Sequence, residues 1–328
     1  MRERIPDLVK TADNWCSKWA NKKTILATEE LKRYTLDVTM NALLGMEFPL
    51  NGESLEDLYN KLHIFSTGVY SFGIDLPFTK FGRAMAARQE ILDMISEGIY
   101  RFRRNPELKG CLRSLIDGRD EDGNGLTMPE LLDNIVTIAY AGFESTALGM
   151  TTALLKMAQQ PEVWEELKKE QERIIAKHGP EMTAEAIEDM EYTTAVYKEA
   201  VRIMPTLPGL FKVATKTFEI NGYRIPKGWV VIPLTGTTAQ HYDERWPGDA
   251  NYCPNRYLTK AGREPVPELA FGLGPHSCIG RYLSILEAKI LLATMARGFS
   301  YKIANPDQAR VYAPLPFPED GLAMIVDK

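Results

Sequence analysis

From Pro129 to about Gln159 apolar residues recur at helical spacing with no internal proline, which predicts one helix of roughly 45 Å at 1.5 Å per residue. No other segment limits the fold as tightly. Its middle, IVTIAYAGFESTALGMTTALL (residues 135–155), has the length of a membrane span, but Glu144 sits near the centre. An ionised carboxylate in hydrocarbon costs several kcal/mol, so a helix buried inside the protein is the better reading.

Shorter helical patterns surround it. Leu8 to Leu44 reads as two helices, interrupted near Asn21 and closed by Gly45, and residues 54–104 as two more, broken by the Gly73 and Pro77 stretch. Further helices are expected at about 161–177 and 192–203, and another after Cys278. Between Phe211 and Leu234 the period changes to alternation, with Asn221-Gly222 as a hairpin signal between FKVATKTFEI and YRIPKGWVVI. The C-terminal stretch from Phe299 reads as short strands around proline-rich loops. A mainly α chain with a small β-sheet region is expected.

At 328 residues, 45% apolar and 25% charged, the composition is that of a folded, soluble protein. A net charge of −5 with both signs interspersed offers no basic field for phosphates, so nucleic acid is not an expected partner. Cys16, Cys111, Cys253 and Cys278 show no CxxC spacing and only four histidines exist, which indicates neither a zinc site nor a disulfide framework. A reducing intracellular compartment fits that usage. The start, MRERIPDLVK, is charged and lacks the apolar core of a signal peptide, so no targeting segment is expected there. The loop from Asp120 to Gly125 copies the first half of a calcium loop, but the twelfth place is Leu131; a solvated turn before a proline-started helix is expected instead.

The stretch AFGLGPHSCIG (270–280) places one cysteine in a collar of glycines, a proline and a histidine. Gly272 and Gly274 let something flat approach the backbone, and Pro275 stiffens the turn. Directly after Cys278 the apolar set Ile279, Tyr282, Leu283, Leu286, Ile290 and Ala293 recurs at helical spacing, so the sulfur stands at a helix N-terminus, where free N–H groups stabilise negative charge. On the loop alone three readings stay open: an axial ligand to haem iron, a nucleophile with His276 as base, or a buried structural cysteine.

Other residues bear on that choice. Glu199-x-x-Arg202 puts an acid and a base on one helix face, by itself no more than a surface salt bridge. It is followed by Tyr252-x-Pro254-x-Arg256-Tyr257 and then by Phe271-x-x-Gly274-x-x-x-Cys278-x-Gly280. In this order and separation the three segments resemble the hallmarks of the cytochrome P-450 family, the haem-thiolate monooxygenases. Ala141-Gly142-Phe143-Glu144-Ser145-Thr146, in the long helix, is similar to the family's segment across the distal haem face.

The resemblance implies a single, partial haem-thiolate monooxygenase domain over residues 1–328, with Cys278 ligating the iron of haem b (iron protoporphyrin IX) and Phe271, Gly274 and Gly280 shaping the loop. It implies that Ala141 and Gly142 make room for dioxygen and that Glu144 relays protons with the Ser145 hydroxyl, Thr146 being a substitute. Serine stands where the family usually has threonine, which keeps the hydroxyl and loses the methyl that restricts its rotamer. Glu199, Arg202 and Arg256 are implied to form a buried ion network behind the haem. His276 and Lys212 stand where relatives place arginines, His276 against a propionate, and Lys212 supplies charge without the bidentate fork.

Leu207, Pro208, Gly209, Leu210, Leu315 and Phe317 fall where the family lines its pocket. The branch looks similar to retinoic-acid hydroxylases and their cyanobacterial and plant sterol-oxidising relatives, which implies a lipophilic, isoprenoid or sterol-like substrate. Electrons are expected from a separate redox partner, a flavoprotein reductase or ferredoxin. Two alternatives are a haem-thiolate isomerase or peroxygenase and a non-catalytic remnant with weak or no haem binding. Residue 1 aligns at about the family's fourth helix. The first strands and helices, the other propionate-binding helix and any membrane anchor are therefore expected outside this sequence. The resemblance leaves membrane association to that region alone, which in a full-length form is compatible with the cytoplasmic face of a membrane; the organelle is not assigned by the sequence.

Overall fold

A capping box starts the long helix, α6 (Met128–Gln159): Thr127 caps the chain with its hydroxyl, and the Glu130 carboxylate takes the Thr127 N–H at 2.8 Å. Pro129 sits in the first turn, where its missing N–H leaves no partner wanting, and Pro161 opens the next helix. The fold is a computed structural model that describes residues 2–207, 209–235, 251–258, 268–312 and 315–328.

Ahead of α6 come α1 (Ile5–Lys22), α2 (Ala27–Asp37), α3 (Leu55–Val69), α4 (Lys80–Arg104) and the short α5 (Cys111–Asp117). After it come α7 (Pro161–His178), α8 (Ala184–Glu188), α9 (Glu191–Ile203) and α10 (Arg281–Gly298). The expected breaks near Asn21, at 73–77 and at Gln160 are all present. α2 continues through a wide π-type turn, Val38–Leu44, and stops at Gly45 in the left-handed conformation, φ 77°.

Two apolar cores share α6. Its first half, including Leu131, Ile135, Ala139 and Phe143, packs with α3, α4 and the π turn; its second half, including Ala147, Met150, Leu154 and Met157, packs with α1, α7, α9 and α10. The helix is therefore an internal one, and no described helix is long and apolar enough to cross a membrane.

The largest sheet has three antiparallel strands in the order β1 (Thr24–Leu26), β9 (Ala323–Asp327), β6 (Ser300–Ile303), with Ile25 opposite Met324 and Tyr301 opposite Val326. β1 carries too few residues to show a period. It is a strand because β9 supplies its hydrogen bonds. Three two-stranded pairs complete the strands: β2 (Lys212–Val213) with β5 (Val230–Val231), β3 (Phe218–Ile220) with β4 (Tyr223–Ile225), and β7 (Arg310–Tyr312) with β8 (Pro316–Pro318). Asn221 and Gly222, at φ 49° and 80°, make the expected tight turn between β3 and β4. At the calcium-like loop the Asp120 Oδ1 accepts from the N–H groups of Asp122 (3.0 Å) and Asn124 (2.7 Å), so the turn satisfies itself.

Gly45 supplies a clean test of the α2 terminus. A Cβ there would lie 2.2 Å from the Lys109 carbonyl oxygen, whereas at Gly52, also left-handed at φ 80°, it would meet nothing within 4 Å. Gly52→Ala is expected to cost about 1–2 kcal/mol for backbone strain alone, and Gly45→Ala distinctly more, as read from chemical denaturation. Equal costs would mean that the two segments do not pack as described.

Candidate functional site

Where the two cores meet, α6 bares one narrow face. Ala141 is exposed there and Ser145, four residues on, is half-buried, and the Ser145 hydroxyl donates back to the Ala141 carbonyl at 2.6 Å. On another side Gly142 lets α2 come close, since a Cβ would stand 3.1 Å from Thr39 Oγ1. Thr35 donates to the Phe143 carbonyl at 2.7 Å, and Thr206, in the loop after α9, donates to the Ser145 carbonyl at 3.1 Å. Two hydroxyls thus hold this short span of backbone from outside the helix. Glu144 lies between the open face and α2, its Oε1 3.7 Å from Lys32 Nζ. Burial first, and the Glu144 charge second, push the neighbouring Tyr140 hydroxyl up to about 12. Thr146 is buried beside Glu287 and Tyr197.

The cysteine loop is folded by its own backbone. The N–H of Cys278 donates to the Phe271 carbonyl at 2.7 Å and that of Ser277 to Gly274 at 3.1 Å, a path that needs left-handed glycines at 272 (φ 73°) and 274 (φ 80°). Gly280 caps α10, and the Cys278 sulfur lies 3.7 Å from where its Cβ would be. The thiol is exposed, within an open apolar face made by Leu273, Ile279 and Tyr282, of which Ile279 is 92% exposed. Glu268 ties the loop down, pairing with Arg281 at 2.6 Å and Lys198 at 2.7 Å.

Glu199 and Arg202 are buried on α9, which removes the surface salt-bridge reading. Both Glu199 oxygens are used: Oε2 accepts from Arg202 Nε at 2.7 Å, and Oε1 from Arg256 Nε at 2.9 Å and the Cys253 N–H at 2.8 Å. This network pins the 251–257 segment to α9. A second buried cluster joins α9, α6 and α10. Tyr197 Oη shares a 2.6 Å hydrogen bond with Ser284 Oγ, and Gly149 makes room for that hydroxyl, a Cβ there falling 2.8 Å from it. Sequence reasoning missed Tyr197, Ser284, Glu287 and Lys32. No signal marks them, because a polar residue between apolar ones on a helix reads as its solvated edge until the neighbour that buries it is known.

The implied haem is tested by the chemistry of this donor set. Among the described residues no group of three His, Cys, Asp or Glu side chains could hold a bare metal ion. An iron bound at Cys278 would therefore bring its other donors with it, as a porphyrin does. The glycine loop, the apolar face around the sulfur and the small side chains on α6 fit such a flat, greasy group. His276 and Lys212, both exposed, are cations of the sort that face propionates. Of the expected pocket residues, Leu207 is exposed, Leu210 Cδ1 lies 3.8 Å from where a Cβ on Gly272 would stand, Leu315 is buried, and Phe317 covers Lys32 with its ring centre 4.5 Å from Nζ. Pro208 lies outside the described residues.

Comparison with known proteins adds an independent line. The family model described as Cytochrome P450 matches residues 2–319. Abscisic acid 8'-hydroxylase 2 of Arabidopsis thaliana is 32% identical over 94% of this chain and 64% of its own length. The beta-amyrin 28-monooxygenase of Kalopanax septemlobus is 29% identical over 93% of the chain and 64% of its own length. Cytochrome P450 26A1 of Xenopus laevis is likewise 29% identical, over 91% and 63%. Among solved structures, retinoic acid bound cyanobacterial CYP120A1 superimposes with a TM-score of 0.88 at 25% identity, covering 99% of this chain and 74% of that one. The chain thus spans about two thirds of the length of these curated relatives.

Two outcomes test the buried polar groups. Glu199→Ala leaves two arginines without their carboxylate and is expected to cost about 3–5 kcal/mol in denaturant unfolding, far beyond a surface pair; a loss below about 1 kcal/mol would disprove the burial. Glu287 is different: full burial pushes its carboxyl well above its ordinary value of 4.5, with the Thr146 hydrogen bond opposing. The unfolded chain loses that proton first, so stability falls as pH rises above the ordinary carboxylate range, by up to about 1.4 kcal/mol per unit from this group. Glu287→Gln removes the proton from the comparison. Its urea midpoint should gain on the parent's progressively between about pH 5 and pH 8, and parallel pH profiles would show Glu287 ionised in the folded chain.

Proposed function

Because the chain belongs to the cytochrome P450 family, we propose that it acts as a haem-thiolate monooxygenase on a lipophilic, isoprenoid-type substrate. One observation carries the reading. An exposed thiol on a glycine-lined loop is anchored through Ser284, Tyr197 and Gly149 to the same helix whose bared face carries Ala141 and Ser145. Bound between them, haem would supply the redox metal at which one atom of dioxygen enters a C–H or C=C bond and the other leaves as water.

The chain's own residues do the rest. Cys278 would hold the iron through its sulfur, which lies 3.7 Å from where a Cβ on Gly280 would stand, so the bare α-carbon leaves the sulfur accessible. His276 and Lys212 orient the macrocycle by charge, without the fork an arginine would add. Ser145 holds a proton at Oγ that now points to the Ala141 carbonyl at 2.6 Å and, lacking a β-methyl, turns into the open face at small cost. Glu144, one residue before it, resupplies that proton. Leu207 and Leu210 exclude water from the substrate side. A separate flavoprotein or ferredoxin brings the electrons. The named relatives are described by abscisic acid, beta-amyrin and retinoic acid, all terpenoid skeletons, which supports an isoprenoid substrate class here.

Reduced protein under carbon monoxide is expected to give the red-shifted Soret band of thiolate ligation. Cys278→Ala abolishes it, while changes at Cys16, Cys111 and Cys253 leave it in place. Failure of the purified chain to take up haem would instead support the non-catalytic alternative, and substrate oxidation driven by peroxide but never by a reductase would support the peroxygenase.

A further inference from the structure

The chain just after α9 touches both halves of the site within five residues. Thr206, half-buried, donates its hydroxyl to the Ser145 carbonyl at 3.1 Å and so reaches the backbone of α6 from outside that helix. Four residues on, Leu210 Cδ1 stands 3.8 Å from where a Cβ on Gly272 would be, beside the Phe271 carbonyl that accepts the Cys278 N–H at 2.7 Å. Between these two footholds Leu207 keeps its side chain exposed, while its carbonyl accepts from the Thr235 hydroxyl at 3.3 Å. Gly209 is pressed against the neighbouring segment, since a Cβ there would fall 2.8 Å from Ile232 Cγ2 and 3.1 Å from the Pro233 carbonyl oxygen. The stretch is held by its backbone and bare at one apolar side chain.

A helical carbonyl has two lone pairs, and the N–H four residues on uses one. The Thr206 bond is therefore an addition that α6 does not need in order to be a helix. What it adds is a link: the residue whose hydroxyl turns at the open face is gripped at its carbonyl by the neighbour of the exposed leucine. We propose that Thr206 is a positioning residue that couples occupancy of the apolar side at Leu207 to the placement of Ser145. The proposal rests on the oxygenase reading, since it needs a lipophilic ligand against Leu207. Such a ligand takes the leucine out of water and narrows the excursions of the backbone beside it. One hydrogen bond then carries that ordering to Ser145. Without a ligand the segment loosens and Ser145 loosens with it. The coupling moves neither charge nor proton.

Two measurements test this. In the purified chain without added haem, amide hydrogen exchange across residues 143–150, read by mass spectrometry, should be severalfold faster in T206V than in the parent. T206S, which keeps the hydroxyl, should match the parent; equal exchange in all three overturns the contact. In the haem-loaded, reduced protein under carbon monoxide, retinoic acid, the ligand of the similar solved structure, should narrow and shift the infrared C–O stretching band. In T206V retinoic acid still binds, as its own spectral titration shows, but the band response is severalfold smaller, and T206S restores it. A T206V response equal to the parent's overturns the proposal, as does a parent band that ignores bound retinoic acid. Should T206V not fold, L207A decides: it keeps the hydroxyl and removes the apolar contact, and an undiminished response there is equally fatal. A parent that shows no thiolate-type band, or binds neither retinoic acid nor abscisic acid, sinks the oxygenase reading and the coupling together, whereas the exchange measurement judges the contact by itself.

Discussion

The burial of α6 in two separate cores is the constraint on which the rest of the structure depends. A helix of this length has to find apolar partners along both halves; α2 and the π turn border both, and beyond them it finds different elements, α3 and α4 on one side and α1, α7, α9 and α10 on the other. The seam between the cores is the one stretch where small side chains, Ala141 and Ser145, are left facing out. Opening the face costs little there, because it withholds no large apolar group from burial. The bared segment is braced from outside by Thr35 and Thr206, whose hydroxyls bond its carbonyls.

The cysteine loop inherits its position from polar contacts in the interior. Glu199 with Arg202 and Arg256 fastens the 251–257 segment to α9, and Tyr197 with Ser284 fastens α10 to the same helix. Such groups carry a desolvation cost that hydrophobic replacements would avoid. What they provide is direction: apolar packing tolerates a slide of one helix along another, whereas a two-oxygen carboxylate shared by two guanidiniums has one arrangement. An exposed sulfur at the end of α10 is useful only if that helix cannot slide.

Charge is handled differently on the two sides of α6. Toward α10 full burial pushes the carboxyl of Glu287 well above its ordinary value, with Thr146 beside it. Toward α2 the carboxylate of Glu144 sits near a buried ammonium and a path of charges leading outward.

The sequence by itself determined the helical framework and the chemistry-bearing stretches. Period, proline placement and glycine stops depend only on local geometry, so α1 to α4, α6, α7, α9 and the β3–β4 turn were legible, as were the cysteine loop, the Glu199–Arg202 spacing and the Ala141–Thr146 segment. Only the tertiary structure decided which polar residues matter beside them. Strand β1 exists through β9; Glu199 is a network centre because Arg256 and the Cys253 N–H arrive from a distant segment; and Lys32, Tyr197, Ser284 and Glu287 acquire roles when a second helix buries them. Of the two neighbouring hydroxyls on α6, packing left Ser145 at the open face and enclosed Thr146. Spacing along one helix says which side chains share a face, but burial, and with it the worth of every charge and hydroxyl, is set by what packs against that face.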